Sequence, residues 1–436
     1  HTDLDDDTDG RRALTGRGRG YHRPAGGRIR RMSALRETTD RLRGGGRGWT
    51  LLLVASGWLF INGFRVVLPA LLPQIKVDFG IDNASAGFAL SVLWFMYAGL
   101  QFPAGIVADR IAERSLLIVG AVLGALSFVA FYLAPSYGLF VLACALFGLG
   151  AGSFGTPRDM LLSKTYVDAD STAFGVTFAA GSLGAAVLPY LATAIAHRWG
   201  WRLAVVWLLP LLLMIGIGLW WIGPTGDGQA GGSGLSPRET VRRTMTVLTD
   251  RTILFGSSVM LIFVFTYQAL LSFLPTYLVE IKGLDQGVAA ALFGLLFVVG
   301  AISNPVAGHL ADRWNERVTV VIVIGFATVT LLLLPLAEGK LPLMLLVPLL
   351  GTRIAMGPLA GAFLVRTLPP PVRGTGWGFI RTLFFGIGAT GSTVIGLFGD
   401  AGLFDLGFIA LAVLTALAMI GWLAIPHGPS RSATSG

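Results

Sequence analysis

The segment Gly105-Ile-Val-Ala-Asp109-Arg110-Ile-Ala-Glu-Arg114 decides the fold, because the chain repeats it as Gly308-His-Leu-Ala-Asp312-Arg313-Trp-Asn-Glu-Arg317. The two copies stand 312 − 109 = 203 residues apart in a chain of 436 residues. Each copy closes a long apolar run and keeps Gly, Asp and Arg at the same positions. One charged turn after an apolar run is a common feature, but two copies at corresponding places indicate an internally duplicated chain.

Long apolar runs separated by short polar gaps fill most of the chain. Hydrophobic residues make up 54% of the sequence and charged residues 13%, which is more apolar surface than a soluble chain of this length could bury. A helix rises about 1.5 Å per residue and crosses a hydrocarbon core of about 30 Å in about 20 residues. The runs predict an all-α membrane protein with twelve spans: 50–72, 86–108, 115–135, 137–160, 172–195, 202–223, 253–278, 287–310, 318–337, 341–366, 375–399 and 404–426.

The predicted spans fall into two related sets of six. The predicted regions are a leader (1–48), a first six-helix half (49–223), a linker (224–251), a second six-helix half (252–426) and a tail (427–436). The leader is rich in Arg and Gly and poor in large apolar residues, so we expect it to be disordered. Because the first methionine is Met32, we also expect part of the leader to precede the true translation start.

The basic residues predict the orientation. The net charge of +9 does not indicate a nucleic-acid partner, because the basic residues lie in the leader and in short gaps between apolar runs. One set of gaps is rich in them: Arg110, Arg114, Arg158, Lys164, Arg238, Arg242, Arg243, Arg251, Arg313, Arg317, Arg366 and Arg373. The other set holds few: Lys76, Arg198, Arg202, Lys282 and Lys340. The positive-inside rule therefore predicts a multi-pass protein of the plasma membrane, in contact with the lipid bilayer, with both termini cytoplasmic.

No catalytic or cofactor-binding motif is visible in the sequence. A Walker-type phosphate loop is absent, the five histidines are scattered, and the single cysteine, Cys144, lies inside an apolar run. We therefore expect no cofactor, no metal and no enzymatic activity. A membrane receptor or a membrane-embedded enzyme remains a remote alternative.

Three arginines fall inside predicted spans, namely Arg65, Arg353 and Arg381, whereas all acidic positions after the leader can be placed in loops or at span ends. Arg353 lies twelve residues after Leu341, about 18 Å along a helix and close to the membrane midplane. A charge there costs at least about 2.5 kcal/mol unless it faces water or a partner. An anionic substrate is the natural counter-charge. For Arg65 and Arg381, snorkelling to the membrane surface is the alternative.

Neutral polar residues in the spans are further candidates for substrate contact. They are Asn62, Tyr97, Gln101, Tyr267 and Gln268. Interhelical hydrogen bonding is the alternative role for each of them.

The two copies of the repeated motif resemble the loop signature of the major facilitator superfamily, and the resemblance extends from about Trp49 to Pro426. It implies twelve helices in two pseudo-symmetric halves and secondary transport by alternating access. It also implies that Gly105 allows close helix approach. It further implies a conformational latch formed by Gly105, Asp109, Arg110 and Arg114 with their counterparts Gly308, Asp312, Arg313 and Arg317. The match departs from the family pattern at Ala112, where the family usually has glycine, and at Glu113, where it usually has a basic residue.

The expected function is transport of a small anionic solute, with a possible coupling ion. Multidrug efflux is the alternative. The fourth helix of proton-coupled drug antiporters carries an arginine where this chain has Cys144, and Arg353 occupies the corresponding place in the second half, 353 − 144 = 209 residues later. This departure from the antiporter pattern favours the anion hypothesis.

Overall fold

A computed structural model describes residues 47–108, 112–166, 170–222, 250–369 and 373–424. All of them belong to one compact unit. Most of the predicted leader, nearly all of the linker and the whole tail lie outside the described residues, as do residues 109–111 in the first motif copy.

Twelve helical spans are long and apolar enough to cross a membrane. They are α1 (Arg47–Phe79), α2 (Asn83–Ala108), α3 (Glu113–Leu133), α4 (Tyr137–Thr165), α5 (Asp170–Trp199), α6 (Trp201–Val206 and Leu209–Ile222), α7 (Arg251–Glu280), α8 (Gln286–Arg313), α9 (Glu316–Leu336), α10 (Lys340–Leu349 and Met356–Thr367), α11 (Arg373–Asp400) and α12 (Phe404–Leu423). The described residues contain no strand. The predicted all-α fold with twelve spans is confirmed.

Several helices extend beyond the predicted spans. Helix α1 continues past Pro69 and Pro73 to Phe79, although the hydropathy pattern predicted its end at residue 72. Proline is tolerated in membrane helices because neighbouring groups satisfy the freed backbone atoms. The last turns of α1 carry polar side chains that contact the second half of the protein, so they need not be apolar.

Helix α10 is broken, whereas the sequence predicted a continuous span over 341–366. A 3₁₀ segment, Leu350–Ala355, interrupts it and carries Arg353. Gly351 within the segment packs so closely on α8 that an added Cβ would overlap the carbonyl oxygen of Leu296. Stretches of 3₁₀ helix within a longer helix often mark functional positions. The break places Arg353 on an irregular part of the backbone at the centre of the span.

The internal duplication is visible in matching hydrogen bonds. Arg114 at the start of α3 donates to the carbonyl oxygen of Trp220 in α6, and Arg317 at the start of α9 donates to that of Leu423 in α12. The offsets are equal, 317 − 114 = 203 and 423 − 220 = 203. Each half therefore ties its third helix to its sixth in the same way.

A second matched pair joins the third and fourth helices of each half. Glu113 forms an ion pair with Lys164 at the end of α4, and Glu316 forms one with Arg366 at the end of α10. The offsets are 316 − 113 = 203 and 366 − 164 = 202. The charges at the end of each motif copy thus hold the helix ends of their own half together. We call this end of the bundle the motif end and the other the far end.

The two halves meet along two helix pairs, α2 with α11 and α5 with α8. A Cβ on Gly87 of α2 would overlap the carbonyl oxygen of Ser392 in α11, and one on Gly294 of α8 would overlap that of Ala186 in α5. Small residues allow such close backbone approach in membranes. Both contacts are therefore sensitive to side-chain size.

Replacement of Gly294 by alanine is expected to lower the melting temperature of the detergent-solubilised protein. The added methyl group forces α5 and α8 apart, and overpacking of this kind costs about 1–3 kcal/mol. Gly287→Ala in the same helix is the control, because no atom lies within 4 Å of a Cβ there. An unchanged melting temperature in Gly294→Ala would contradict the close approach.

Candidate functional site

Arg65 lies in the middle of α1 and is only 7% exposed. Its guanidinium carbon lies 4.1 Å from the ring centroid of Tyr97, 5.0 Å from that of Trp58 and 5.2 Å from that of Trp94. Aromatic faces attract a cation electrostatically. Among the described residues, no carboxylate forms an ion pair with Arg65, and its Nε and Nη2 atoms have no hydrogen-bond partner. Burial among rings shows that Arg65 does not snorkel to the surface.

Arg158 is a second buried arginine that the sequence analysis missed. The sequence analysis grouped it with the basic residues of the gaps although it lies near the end of the predicted span 137–160, and α4 continues to Thr165 and buries Arg158. Its guanidinium carbon stacks 3.7 Å from the Trp58 ring centroid, so Trp58 lies between two guanidinium groups. Leu161 and Leu162 are buried beyond it, and these apolar residues were the signal that the span continues past residue 160.

Arg158 also contacts a carboxylate. Its Nε and Nη2 atoms donate to Oδ1 of Asp159 at 2.9 and 2.6 Å, and its Nη1 atom has no partner. The sequence analysis placed Asp159 at a span end. It lies six residues before the last residue of α4, because the helix extends past the predicted end of the span at residue 160.

Arg381 of α11 joins the same cluster from the second half. Its guanidinium carbon lies 5.8 Å from the Phe385 ring centroid, and that ring meets Tyr97 edge-on at 5.4 Å. Arg381 and Arg158 lie close enough to both Arg65 and Tyr97 to act on them electrostatically. Three arginines from α1, α4 and α11 thus surround one tyrosine of α2.

Arg353 forms a second basic centre in the second half and is 1% exposed. Its Nη2 atom donates to Thr266 Oγ1 of α7 at 2.7 Å, while Nε and Nη1 have no partner. The ring centroids of Phe263 and Tyr267 lie 5.7 and 6.0 Å from its guanidinium carbon.

In this region, most of the buried polar atoms that lack a hydrogen-bond partner are donors. The unpaired donor atoms are Arg65 Nε and Nη2, Arg158 Nη1, Arg353 Nε and Nη1, and Gln101 Nε2. Gln268 of α7 is buried with both amide atoms unpaired. Buried polar groups in proteins are almost always satisfied. The site therefore fits a ligand that supplies hydrogen-bond acceptors.

Asn62 differs from the other predicted contacts. Its Nδ2 atom donates to the carbonyl oxygen of Gly181 at 3.0 Å, which ties α1 to α5. This bond matches the alternative role considered for such residues, interhelical hydrogen bonding.

The residues of the expected latch are only partly described. Gly105 lies in α2, and Asp312 and Arg313 lie exposed at the end of α8. No atom lies within 4 Å of a Cβ built on Gly308, so close helix approach is not seen at that glycine. Two members of the first copy lie outside the described residues: Asp109 and Arg110.

A seal between the halves lies at the far end. The Asp400 carboxylate at the end of α11 accepts hydrogen bonds from the backbone N–H groups of Asn83 and Ala84, at 2.8 and 2.7 Å. These groups are the free donors at the start of α2, where a negative charge is favourable. Lys76 of α1 pairs with Glu280 of α7 at 2.7 Å. Both contacts join one half to the other.

Helices α2 and α11 separate toward the motif end. At the far end, a Cβ on Gly396 would overlap the Asn83 carbonyl oxygen. Further along, a Cβ on Gly386 would lie 4.0 Å from Ala98, so the two backbones lie farther apart there.

Two duplicated six-helix halves around a buried basic site, sealed at one end, are the architecture of a membrane transporter. The sequence matches the Major Facilitator Superfamily over residues 53–389, and the chain belongs to that family.

Several curated proteins are similar in sequence to this chain. A probable hexose phosphate transport protein of Chlamydia pneumoniae is 29% identical over 43% of this chain and 41% of its own length. The chain thus spans less than half of that relative. The 4-hydroxybenzoate transporter PcaK of Pseudomonas putida is 26% identical over 86% of this chain and 90% of its own length. The multidrug resistance protein MdtH of Sodalis glossinidius is 33% identical over 26% of this chain and 28% of its own length.

Among solved structures, a mutant form of the nucleoside transporter NupG covers 86% of this chain and 99% of its own, with a TM-score of 0.75 and 14% identity. This likeness confirms the fold. Together with the family match, it confirms the resemblance seen in the sequence.

Replacement of Asp400 by asparagine is expected to open the far-end seal. Loss of the charge weakens two charge-assisted hydrogen bonds by about 1–2 kcal/mol, which raises the open population by about five- to thirty-fold. Ser91, buried behind the seal, is replaced by cysteine in a Cys144→Ser background. Labelling of this cysteine by a membrane-impermeant maleimide added at the far end is then measured.

Glu338→Gln is the matched control, because Glu338 is an exposed carboxylate between α9 and α10 at the far end. Equal labelling rates in Asp400→Asn and the unmutated background would show that Asp400 does not hold the seal.

Proposed function

We propose that the chain is a secondary active transporter that moves a small anion by alternating access of its two halves. The observation that carries the proposal is the surplus of buried N–H donors on Arg65, Arg158 and Arg353. Among the described residues, Asp159 is the one carboxylate that contacts any of them. A carboxylate, sulfonate, phosphate or nitrate group supplies the missing negative charge and accepts hydrogen bonds from guanidinium groups.

The location of the arginines fits an alternating-access carrier. Arg65 belongs to the first half, Arg353 and Arg381 belong to the second, and the Tyr267 ring centroid lies 6.0 Å from the Arg353 guanidinium carbon. An anion held by both centres attracts the halves toward each other at the motif end, where α2 and α11 now diverge. Tyr97, Gln101 and Gln268 complete the proposed contacts.

The relatives support an anionic substrate without identifying it. Hexose phosphate and 4-hydroxybenzoate, the solutes in the names of two relatives, both carry negative charge. Multidrug efflux is the second candidate, because aromatic rings surround Arg65 and because part of the chain matches MdtH. An efflux pump for lipophilic drugs would not require the arginines.

The proposed orientation places the motif end in the cytoplasm of a plasma-membrane protein, with both termini on that side. Its support is the excess of basic residues in the gaps at that end. The site then opens inward, because the close contacts between α2 and α11 lie at the far end. In the opposite state, we propose that the two motif copies, including Asp109, Arg110, Asp312 and Arg313, latch the cytoplasmic side.

The melting temperature of the detergent-solubilised protein is expected to rise with one class of anion in a panel of nitrate, phosphate, glucose 6-phosphate, 4-hydroxybenzoate and lipophilic drugs. A ligand at 100 times its Kd stabilises the folded state by about 2.7 kcal/mol. Arg353→Gln removes charge-assisted hydrogen bonds and should raise the Kd about 10- to 100-fold.

Arg198→Gln is the control, because Arg198 is exposed in the last turn of α5 at the far end. The anion shift should persist in this variant. Stabilisation by lipophilic drugs alone, retained in Arg353→Gln, would replace the anion proposal by drug efflux.

A further inference from the structure

The internal duplication relates the two helix pairs that join the halves. Ser91 of α2 contacts Thr393 of α11, with 2.8 Å between their hydroxyl oxygens. The corresponding close contact joins Gly294 of α8 to Ala186 of α5. The offsets are 294 − 91 = 203 from α2 to α8 and 393 − 186 = 207 from α5 to α11. Residues of one helix pair can therefore be matched to residues of the other.

The far-end seal has a counterpart that lacks its carboxylate. Helix α2 begins at Asn83 and α8 begins at Gln286, and the offset is again 286 − 83 = 203. Asp400 of α11, which binds the start of α2, corresponds to position 400 − 207 = 193 in α5, which is Thr193. A neutral hydroxyl group thus lies where the matching interface has a negative charge.

The start of α8 lacks the hydrogen bonds that satisfy the start of α2. At α2, the side chains of Asp82 and Asp400 accept hydrogen bonds from the first three backbone N–H groups. At α8, the side chain of the N-cap residue Asp285 makes no capping bond. Among the described residues, no acceptor binds the backbone N–H groups of residues 286–288. The first turn of α8 therefore presents free donors at the positive end of its helix dipole.

A cleft of about 880 Å³ lies between α5 and the start of α8. Thr193 lines the cleft and is 3% exposed, and its Oγ1 atom has no hydrogen-bond partner. Gly287 also lines it, and no atom lies within 4 Å of a Cβ built there. The charges of Arg198 and Asp285, which line the cleft as well, offset each other. Because buried polar groups are almost always satisfied, the cleft fits a group with several acceptor atoms.

We propose that this cleft binds a phosphate group, which takes at the start of α8 the place that Asp400 has at the start of α2. Backbone N–H groups at a helix start bind phosphate readily, and a phosphate offers more acceptor oxygens than one carboxylate. The Thr193 hydroxyl donates a further bond from the first half. The bound phosphate therefore joins the halves and stabilises the state that is closed at the far end. Its site is separate from the central arginines, so the inference goes beyond the proposed function.

The surroundings of the cleft allow two sources of the phosphate. Tyr190 and Trp199 line it and are exposed, and aromatic residues of this kind favour the level of the lipid headgroups. A phospholipid can thus offer its headgroup from the membrane, and a free phosphate can enter from the solution. The chemistry recognised is the same in both cases.

The first test measures thermal shifts with inorganic phosphate in an Arg353→Gln background, in which the central site is weakened. Phosphate should still raise the melting temperature. Thr193→Val removes one hydrogen bond to a charged group and should raise the Kd about tenfold. Thr193→Asp restores the carboxylate of the matching interface. It should raise the melting temperature without phosphate and abolish the phosphate shift.

Thr328→Val is the control, because the Thr328 hydroxyl donates to the Ile324 carbonyl oxygen within α9, away from the cleft. Its phosphate Kd should equal that of the background. A phosphate shift that Thr193→Val and Thr193→Asp leave unchanged would contradict the site.

The second test measures maleimide labelling of Ser91→Cys from the far end, in a Cys144→Ser, Arg353→Gln background. If only the closed state binds, phosphate at ten times its Kd should slow the labelling about tenfold. Nanodiscs of phosphatidylglycerol and of the phosphate-free lipid digalactosyldiacylglycerol separate the two sources. Slow labelling in phosphatidylglycerol without added phosphate, lost in Thr193→Asp, identifies the lipid. Slowing by added phosphate in both lipids identifies the free anion, and slowing in neither case would overturn the proposal.

The two proposals can fail separately. If Arg353→Gln removes every phosphate shift while an anion stabilises the wild type, anion transport stands and the far-end site is wrong. If the shift depends on Thr193 while no anion of the wider panel depends on Arg353, the far-end site stands and the proposed central anion site is wrong.

Discussion

Positive charge enclosed within a membrane-spanning fold is the constraint on which the rest of this protein depends. Arg65 and Arg353 are almost fully buried, and no described carboxylate pairs with either of them. Part of the free-energy cost of burying these charges is offset by aromatic faces around Arg65 and by the Thr266 hydroxyl beside Arg353. Several guanidinium N–H groups are still left without partners, because rings and a single hydroxyl cannot accept every hydrogen bond. The proposed anion would supply the missing negative charge and acceptor atoms.

The geometry of the helices places the buried arginines inside the bundle. The 3₁₀ segment in α10 carries Arg353 at the centre of the bundle, and Gly351 lets the broken helix pack directly on α8. The halves approach closely at Gly87 and Gly294, while the charged ends of each half are fixed by its own ion pairs. Each half is therefore braced internally by its own ion pairs.

The far-end seal and the basic site are linked through the same helices. Helix α2 carries the backbone donors that bind Asp400 and also Tyr97 at the arginine cluster, whereas α11 carries both Asp400 and Arg381. A change in the distance between α2 and α11 must therefore affect the seal and the site together. This coupling of a binding site to a gate is what alternating access requires.

The sequence by itself determined the number of spans and the internal duplication, and it predicted that Arg65, Arg353 and Arg381 lie inside spans. It could do so because hydropathy and motif spacing are properties of local sequence. It did not predict the break in α10, the membrane position of Arg158 or the contact of Arg158 with Asp159. Only the tertiary structure decided these, since a helix buried among other helices can continue through polar residues that would end a span exposed to lipid. Which donors remain unpaired was likewise decided by packing, because hydrogen-bond partners come from residues far apart in the chain.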